Sequence, residues 1–596
     1  MESLDLVVIG AGWSGLVAAK TYLEVKPSSK VVILDSESSV GGVWTKHRLY
    51  KGLKSNNMLG TYEYSDFPMD ESTFDVKPGE HIPGNVLLLY FEKYVAHFQL
   101  ADKIRLGSKV ERAERKPDGK WRLTIRKIHG GAVEGVVLET SKLVVATGLT
   151  TEPFLPAFNG QDSFNAPLFH FRDFAIYEDE ALQVGKRVAI LGGTKSAWDV
   201  AYACATSGAQ VNWIIRESGH GPAWMAPPYV SPLKRWLEKL VTTRFFTWFS
   251  PCIWGDADGF GIVRYFLHGT WLGRKMVDVF WKTIANDVIQ LNGYDIHPEV
   301  GKLKPWVSPF WTGTSLGILN YSTNFFDYVK NGTIKIHITD IDHLSHRTIH
   351  LTTGEGIPVS AFVCATGWKA TPNIEFLPRG IDKELGFAWS PDPIDEDLVK
   401  RADDEILRRF PHLQDQPAFS PKHQALAENA AAASPHPIRL IRFMVPLSMF
   451  KERSIIFLGT PLTINTALVS QLQALWATAY FDDKLITPFM VRRPLPGSIE
   501  DTDRKPIKKS DPDLKWETAL QTQFGKWRYP AGFGKRNPDF VFDAMPYMDM
   551  LLKDLGLQSH RKSNIFTECF EPYGPSDYRG LVDEWKARNL VKTKSD

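Results

Sequence analysis

Two sets of residues in this chain have the types and spacing for chemistry: glycines that let a backbone approach a phosphate, and single charges at strand ends. Gly10-Ala11-Gly12-Trp13-Ser14-Gly15 follows the apolar run LDLVVI and precedes LVAAKTYLEV. Such glycines admit a pyrophosphate, and the unpaired N–H groups opening the helix hold it. Asp35 ends the next apolar run, VVIL, 20 residues beyond Gly15, where a carboxylate accepts hydrogen bonds from a ribose diol. A second unit reads RVAIL, Gly192-Gly193-Thr194-Lys195-Ser196-Ala197, WDVAYACATSG and VNWII, and ends in Arg216. A guanidinium there pairs with a 2′-phosphate, favouring NADPH over NADH, with Lys195 as a competing phosphate partner. Thr194 stands where the fingerprint has its second glycine. A flavin must be reduced by a nicotinamide and each carrier needs its own cradle, so FAD is expected in the first unit and NADPH in the second.

Each turn needs a buried parallel strand before it and a helix after it, and both flanks have those patterns. The fold class expected is α/β, with two Rossmann-like dinucleotide-binding domains. KVERAERKPDGKWRLTIRKIHGG and VVLETSKLVVATG alternate like a β-meander turning at Pro117-Asp118-Gly119, expected as a lid on the first unit. The length of 596 residues matches about four units at roughly 150 residues each. Hydrophobic residues at 43% and charged residues at 23% exclude wholesale disorder. Lys+Arg 70 against Asp+Glu 68 leaves +2, too little to track a phosphate backbone, so nucleic acid is not an expected partner. Among Cys204, Cys252, Cys364 and Cys569 the closest pair is 48 residues apart, which rules out a Cys-x-x-Cys redox pair or a close-spaced zinc knuckle. So few thiols suit a reducing compartment. No stretch approaches the roughly 18 uncharged apolar residues of a membrane span, and no basic leader opens the chain, so a cytoplasmic location is expected.

Further motifs carry a resemblance. Gly41-Gly42-Val43-Trp44 begins six residues past Asp35, Ala146-Thr147-Gly148 follows LVV, and Ala365-Thr366-Gly367 follows FVC. Phe164-Asn165-Ala166-Pro167-Leu168-Phe169-His170-Phe171-Arg172-Asp173-Phe174 is close to the pattern F-x-G-x-x-x-H-x-x-x-(Y/F/W), with Ala166 in place of the glycine. From about residue 1 to about residue 480 the sequence resembles the flavin-containing monooxygenases. The resemblance implies that Gly41 to Trp44 lie along the flavin and that the two Ala-Thr-Gly segments mark the crossings between domains. Asp35 departs from the Glu of most relatives. Asn56 stands ten residues before Asp66 of Ser65-Asp66-Phe67-Pro68, the position that in the amine- and sulfide-oxidising branch steadies a flavin C4a-peroxide. Baeyer–Villiger relatives have Asp there and end the signature with Trp, so Asn56 and Phe174 favour the first branch. A neutral amide donates a hydrogen bond without adding negative charge; a turn residue within Ser55-Asn56-Asn57 is the alternative. Gly459, Thr460 and Asn465, around the start of a late helix, are candidates for the flavin pyrimidine, although capping alone explains Asn465.

Eight of the 19 tryptophans fall between residues 224 and 311: Trp224, Trp236, Trp248, Trp254, Trp271, Trp281, Trp306 and Trp311. This helical insertion suits a tunnel for an apolar substrate, or peripheral membrane contact with Lys234, Arg235, Lys239 and Arg244 toward lipid phosphates, or packing against the fold. Residues 1–180 are expected to form the first part of the FAD domain and 181–365 the NADPH domain with the insertion. Residues 366–485 then complete the FAD domain, and 486–596 form a tail wrapping it.

The resemblance implies an FAD-dependent, NADPH-consuming monooxygenase acting through a C4a-hydroperoxyflavin. One oxygen atom of O2 would enter a small apolar organic substrate, a polyketide or terpenoid in the fungal secondary-metabolism members, by hydroxylation, epoxidation or Baeyer–Villiger insertion. The rivals are an NADPH oxidase-like flavoprotein releasing H2O2, a non-enzymatic flavin-binding scaffold, and a disulfide reductase, which needs the cysteine pair this chain lacks.

Overall fold

The computed structural model describes residues 2–129, 132–230, 234–369, 373–418, 436–486 and 511–592. The strand Glu2–Ile9 lies at the centre of an eight-stranded sheet, parallel to Val31–Leu34 on one side and to Ala132–Val145 on the other. All four residues of Val31–Leu34 are buried, as a strand covered on both faces requires. Ala132–Val145 changes partners along its length. Its first part runs antiparallel to Trp121–His129, and its last part runs parallel to Glu2–Ile9 and to Ile455–Phe457. The expected lid is therefore an extension of the sheet: Trp121, Leu123, Ile125 and Leu138 share a core with Val7, Phe376 and Phe457. Alternation along a strand marks two faces but not the partner, and this strand is long enough to have two.

The second sheet has five parallel strands in the order Ile334–Ile338, Gln210–Ile215, Arg187–Leu191, Ala361–Cys364 and Leu168–His170. The last of these comes from the 1–180 segment assigned by sequence to the first domain; its hydrogen bonds to Ala361–Cys364 put it in the second sheet. Two helices hold the first sheet's nucleotide end. Trp13–Val25 is buried through its first ten residues, and Thr466–Phe481 is buried from Ala467 to its end. A helix apolar all round belongs inside the molecule.

The insertion and the tail helices belong to the same hydrophobic core as these two helices. Trp254 of the insertion meets Phe443 at 5.4 Å, and Phe524 and Phe540 of the tail at 5.5 and 5.0 Å between ring centroids. Arg244, a lipid-facing cation in one of the three readings of the insertion, is 1% exposed and pairs with Asp549 at 2.5 Å and with Glu568, as the packing alternative has it. Both carboxylates come from the tail, more than 300 residues away, so the insertion's own pattern contains no trace of them. Residues 487–510 and 593–596 of the expected tail lie outside the described residues. Arg244→Ala leaves Asp549 buried without its cation, and the expected loss is about 3–5 kcal/mol of unfolding free energy. Urea titration followed by tryptophan fluorescence measures it; a loss below about 1 kcal/mol, typical of an exposed pair, refutes the structural role.

Candidate functional site

The first glycine turn is built by close backbone approach. Gly10 N–H donates to the Leu34 carbonyl at 2.8 Å, and Gly10 has φ +110°, where a Cβ would overlap the Ala146 carbonyl oxygen. Gly15 packs against the Gly10 carbonyl with no room for a side chain, and Gly12 lies against Gly42. The helix Trp13–Val25 begins at Gly12 with no side-chain cap, so its first N–H groups are left for an anion. In front of the turn is a cavity of about 280 Å³. Gly10, Gly12, Trp13, Ser14, Asp35, Gly41, Gly42 and Val43 line it, with Ala146, Thr147, Gly148 and Gly459 from the neighbouring strand ends. Gly15 supports the turn from behind, while Trp44 and Asn56 are not part of the lining.

The Asp35 carboxylate faces the cavity and also braces the turn, accepting from Ala11 N–H at 2.6 Å and Glu37 N–H at 2.9 Å. Burial raises its pKa, and the two backbone donors act against that rise. Glu37, Arg48 and Tyr62 also line the cavity, and sequence reasoning passed over them. Glu37 receives Arg48 at 3.3 Å, and Arg172 lies 3.7 Å from it. Arg48 and Arg172 donate to the Thr150 and Thr151 carbonyls at 3.2 Å each, along the chain leaving Gly148. An acid two residues past Asp35 and an arginine four past Trp44 were the available signals.

At the other end of the cavity, Thr463 and Thr466 mark the start of the helix Thr466–Phe481. Asn465 occupies the N-cap position but makes no side-chain cap, and its Nδ2 is buried without a partner among the described residues. Capping thus does not account for Asn465, and the uncapped helix end presents partial positive charge. Gly459 N–H donates to Gln473 Oε1 at 3.1 Å, and a Cβ at Gly459 would overlap Ser14 Oγ. Thr460 turns inward, its hydroxyl donating to the Phe443 carbonyl.

Asn56 lies in the strand Lys54–Met58, and its Oδ1 is buried with no partner among the described residues. The turn-residue alternative therefore does not describe it. Its neighbour Asn57 donates to the Ile464 carbonyl at 3.0 Å and to Glu238 of the insertion. Glu238 also accepts from Met58 N–H at 3.1 Å and Thr61 Oγ1 at 2.5 Å. Burial raises its pKa against these donors. The insertion thus clamps the Asn56 strand, a role its tryptophans did not suggest.

The second turn repeats the first. Gly192 N–H donates to the Ile214 carbonyl at 3.0 Å, and at φ +138° a Cβ would overlap the Ala365 carbonyl oxygen. Gly193 packs against the Gly221 carbonyl, and Trp306 covers Gly221. Thr194 is the N-cap of the helix Lys195–Thr206 without a side-chain cap bond, and Ser196 is in its first turn. Arg216, at the strand end, donates to Ser218 Oγ at 2.9 Å, and Ser218 is tied to Asp340. Burial lowers the Arg216 pKa, with Asp340 opposing. Beyond Ala365, the Thr366 hydroxyl donates to the Phe154 carbonyl at 2.5 Å and the Gly367 carbonyl accepts from Phe154 N–H at 3.0 Å, so the two interdomain crossings are bonded to each other.

Lys195 links the second turn to the strand that carries Asn56. Its ammonium pairs with Asp199 and donates to Asn320 Oδ1 at 3.1 Å. Asn320 Nδ2 in turn donates to the Lys54 and Ser55 carbonyls at 3.0 Å each, immediately before Asn56. Burial lowers the Lys195 pKa, offset by Asp199. His170 of the signature is buried, its Nδ1 accepting from Arg172 N–H at 3.2 Å, and burial pushes its pKa down to about 4. Both turns, with their bare helix N-termini and close glycines, fit the dinucleotides expected of them.

The family described as "Pyridine nucleotide-disulphide oxidoreductase" matches residues 7–245. That span holds both turns, but Cys204, Cys252, Cys364 and Cys569 are each free and buried. An FAD-dependent monooxygenase of Aspergillus nomiae is 32% identical over 99% of this chain and 99% of its own length. Another, from Alternaria brassicicola, is 31% identical over 98% of this chain and 95% of its own. Among solved structures, the closed form of cyclohexanone monooxygenase covers 99% of this chain and 98% of its own, with a TM-score of 0.56 at 16% identity, a likeness of fold. The full-length relatives and the twin nucleotide turns agree: the chain belongs to the FAD-dependent monooxygenase family.

Proposed function

We propose that the enzyme uses NADPH and O2 to insert one oxygen atom into a small apolar organic molecule of the polyketide or terpenoid kind, by hydroxylation, epoxidation or Baeyer–Villiger insertion. The observation that carries this reading is the link from Lys195 through Asn320 to the backbone just before Asn56, which ties the nicotinamide-side turn to the strand beside the FAD cavity. FAD, when bound, accepts two electrons from NADPH and makes dioxygen reactive toward carbon or a heteroatom.

On this reading the first turn holds the FAD pyrophosphate and Asp35 the adenosine ribose, while the uncapped helix at Thr466 supports negative charge on the reduced ring. Gly192, Gly193, Thr194 and Ser196 hold the NADPH pyrophosphate and Arg216 its 2′-phosphate; Lys195, engaged by Asp199, chiefly positions the Asn56 strand. Asn56 supplies the polar contact that keeps reactive oxygen from escaping as H2O2 in a dry site. No protein acid or base is assigned to the chemical step.

A second surface enters the same reading. Ile262, Tyr265, Phe266, Trp271, Leu272 and Val279 are all exposed along the helices Gly261–Gly269 and Trp271–Asn292, Trp271 by 69%. We propose that this ridge rests on a lipid surface, where an apolar substrate would collect. No described helix is long and apolar enough to cross a membrane.

With isotopically labelled dioxygen and a panel of apolar ketones, alkenes and amines, one labelled atom is expected per product molecule by mass spectrometry. Near-complete release of H2O2 with every substrate would sink the proposal in favour of an oxidase. Asn56→Ala should keep its FAD absorbance while the H2O2 formed per NADPH rises about tenfold or more; unchanged coupling reduces Asn56 to a structural residue. Arg216→Ala should raise KM for NADPH by about 10–100-fold, the value of a charge-assisted contact, and leave NADH almost unaffected. Equal losses for both nucleotides contradict the assignment. Trp271→Ala combined with Leu272→Ser should abolish cosedimentation with phosphatidylcholine–phosphatidylserine vesicles, and retention of binding by that variant rejects the ridge.

A further inference from the structure

The buried arginines of the tail and its contacts mostly have a carboxylate. Arg244, Arg264, Arg439 and Arg442 each meet one at 2.5–2.7 Å. Arg528, also buried, has no carboxylate among the described residues and donates to the Phe310 carbonyl and to Ser250 Oγ at 2.9 Å; Arg536, which is half-buried, differs from all of these. Its Nη1 is buried with no hydrogen-bond partner among the described residues, and burial lowers its pKa with no neighbouring charge to offset the effect. A guanidinium nitrogen shut off from water without a partner is costly, and a counter-charge ordinarily offsets it. The residue is held in place by its backbone: Arg536 N–H donates to the Phe533 carbonyl at 3.1 Å, and Ile438 N–H donates to the Arg536 carbonyl at 2.9 Å.

Arg536 lines a cavity of about 90 Å³ that adjoins the FAD cavity, the two sharing Thr147, Gly148, Thr151, Asn373 and Gly459 as walls. The rest of the smaller cavity is amphipathic. Phe387 and Trp389, stacked at 4.5 Å between centroids, form an apolar wall with Phe457 and Leu149. The same cavity is lined by Arg536, Asn537 and the exposed Lys369. One acid also lines the space, Glu152, whose Oε1 accepts from Asn373 Nδ2 at 3.1 Å. Two cations against one engaged carboxylate leave a net positive charge beside an aromatic surface.

We propose that this cavity binds the carboxylate end of an apolar organic acid, with the Arg536 guanidinium as its counter-ion, the exposed Lys369 as a second cation and Phe387 and Trp389 against the hydrocarbon. A phosphate would satisfy the cation but not the aromatic wall; a planar carboxylate matches the guanidinium fork and carries its own apolar body. That this acid is the molecule oxygenated in the adjoining chamber rests on the monooxygenase reading; its binding does not.

The test uses the full-length, FAD-loaded enzyme without NADPH, so that binding is read without turnover. Octanoate and phenylacetate, the methyl ester of each, and inorganic phosphate are titrated by calorimetry and tryptophan fluorescence. Each acid should bind about tenfold or more tightly than its ester. Arg536→Gln should remove that preference and Arg536→Lys should restore part of it, with FAD absorbance and KM for NADPH unchanged in both. Lys369→Gln changes an exposed side chain and should weaken acid binding about threefold, which keeps a reading available if Arg536→Gln does not fold. Equal affinity for acid and ester, or an acid preference that survives both Gln variants, overturns the proposal. So does binding of phosphate alone, or a tenfold rise in KM for NADPH in Arg536→Gln, either of which assigns the guanidinium to a nucleotide. Acid binding with no labelled product would uphold the site and count only against the monooxygenase reading.

Discussion

Each nucleotide site depends on a backbone contact made twice. In the first unit Ala146 N–H donates to the Ile9 carbonyl at 2.8 Å, and the Ala146 carbonyl then lies where a Cβ of Gly10 would be. In the second, Ala365 N–H donates to the Leu191 carbonyl at 2.8 Å, and the Ala365 carbonyl blocks the same space at Gly192. A side chain at either glycine would push the neighbouring strand end away and widen the crevice that takes the phosphates. The contact also explains why an Ala-Thr-Gly segment accompanies each turn. The strand that closes on the glycine is the one whose chain immediately leaves for the other domain.

Around this contact, polar groups divide into those already satisfied and those left for a ligand. Asp35 is satisfied by Ala11 and Glu37 yet still faces the cavity. The side-chain oxygen of Asn56, the amide nitrogen of Asn465 and Nη1 of Arg536 are buried without partners among the described residues. Native interiors satisfy nearly all buried polar atoms, so each of these orphans calls for a physical account; of the three, only Arg536 lines either of the adjoining cavities. The insertion and tail, meanwhile, are held to the core by buried ion pairs, Arg244 with Asp549 and Arg442 with Asp554.

The glycine fingerprints, Asp35 and Arg216 were legible in the chain because each is a local pattern whose geometry is set within a few residues, strand, turn and helix, whereas the Ala-Thr-Gly segments were read through the family resemblance. The two sheets follow from the same cause. Asn56 was legible only through family resemblance, since a polar residue in a polar loop has no periodicity to mark it. Glu238 and Asn320 were not legible at all. Each acts on the strand Lys54–Met58 from about 180 and 265 positions away, and nothing in its immediate surroundings distinguishes it from an ordinary polar side chain. The meander read as a lid shows the same limit, because alternation reports two faces and is silent about which strand lies alongside.

The amino-acid order by itself determined that two dinucleotide turns exist, where they begin, and which charges end their strands, because those features depend on backbone geometry within single strand–turn–helix units. Only the tertiary structure decided how the units address each other: Asn320 bridging Lys195 to the Asn56 strand, Glu238 clamping that strand, and a tail guanidinium brought to the edge of the FAD cavity. Those contacts join residues far apart in the chain, and their free energy comes from burial and pairing that exist only once the whole molecule has closed.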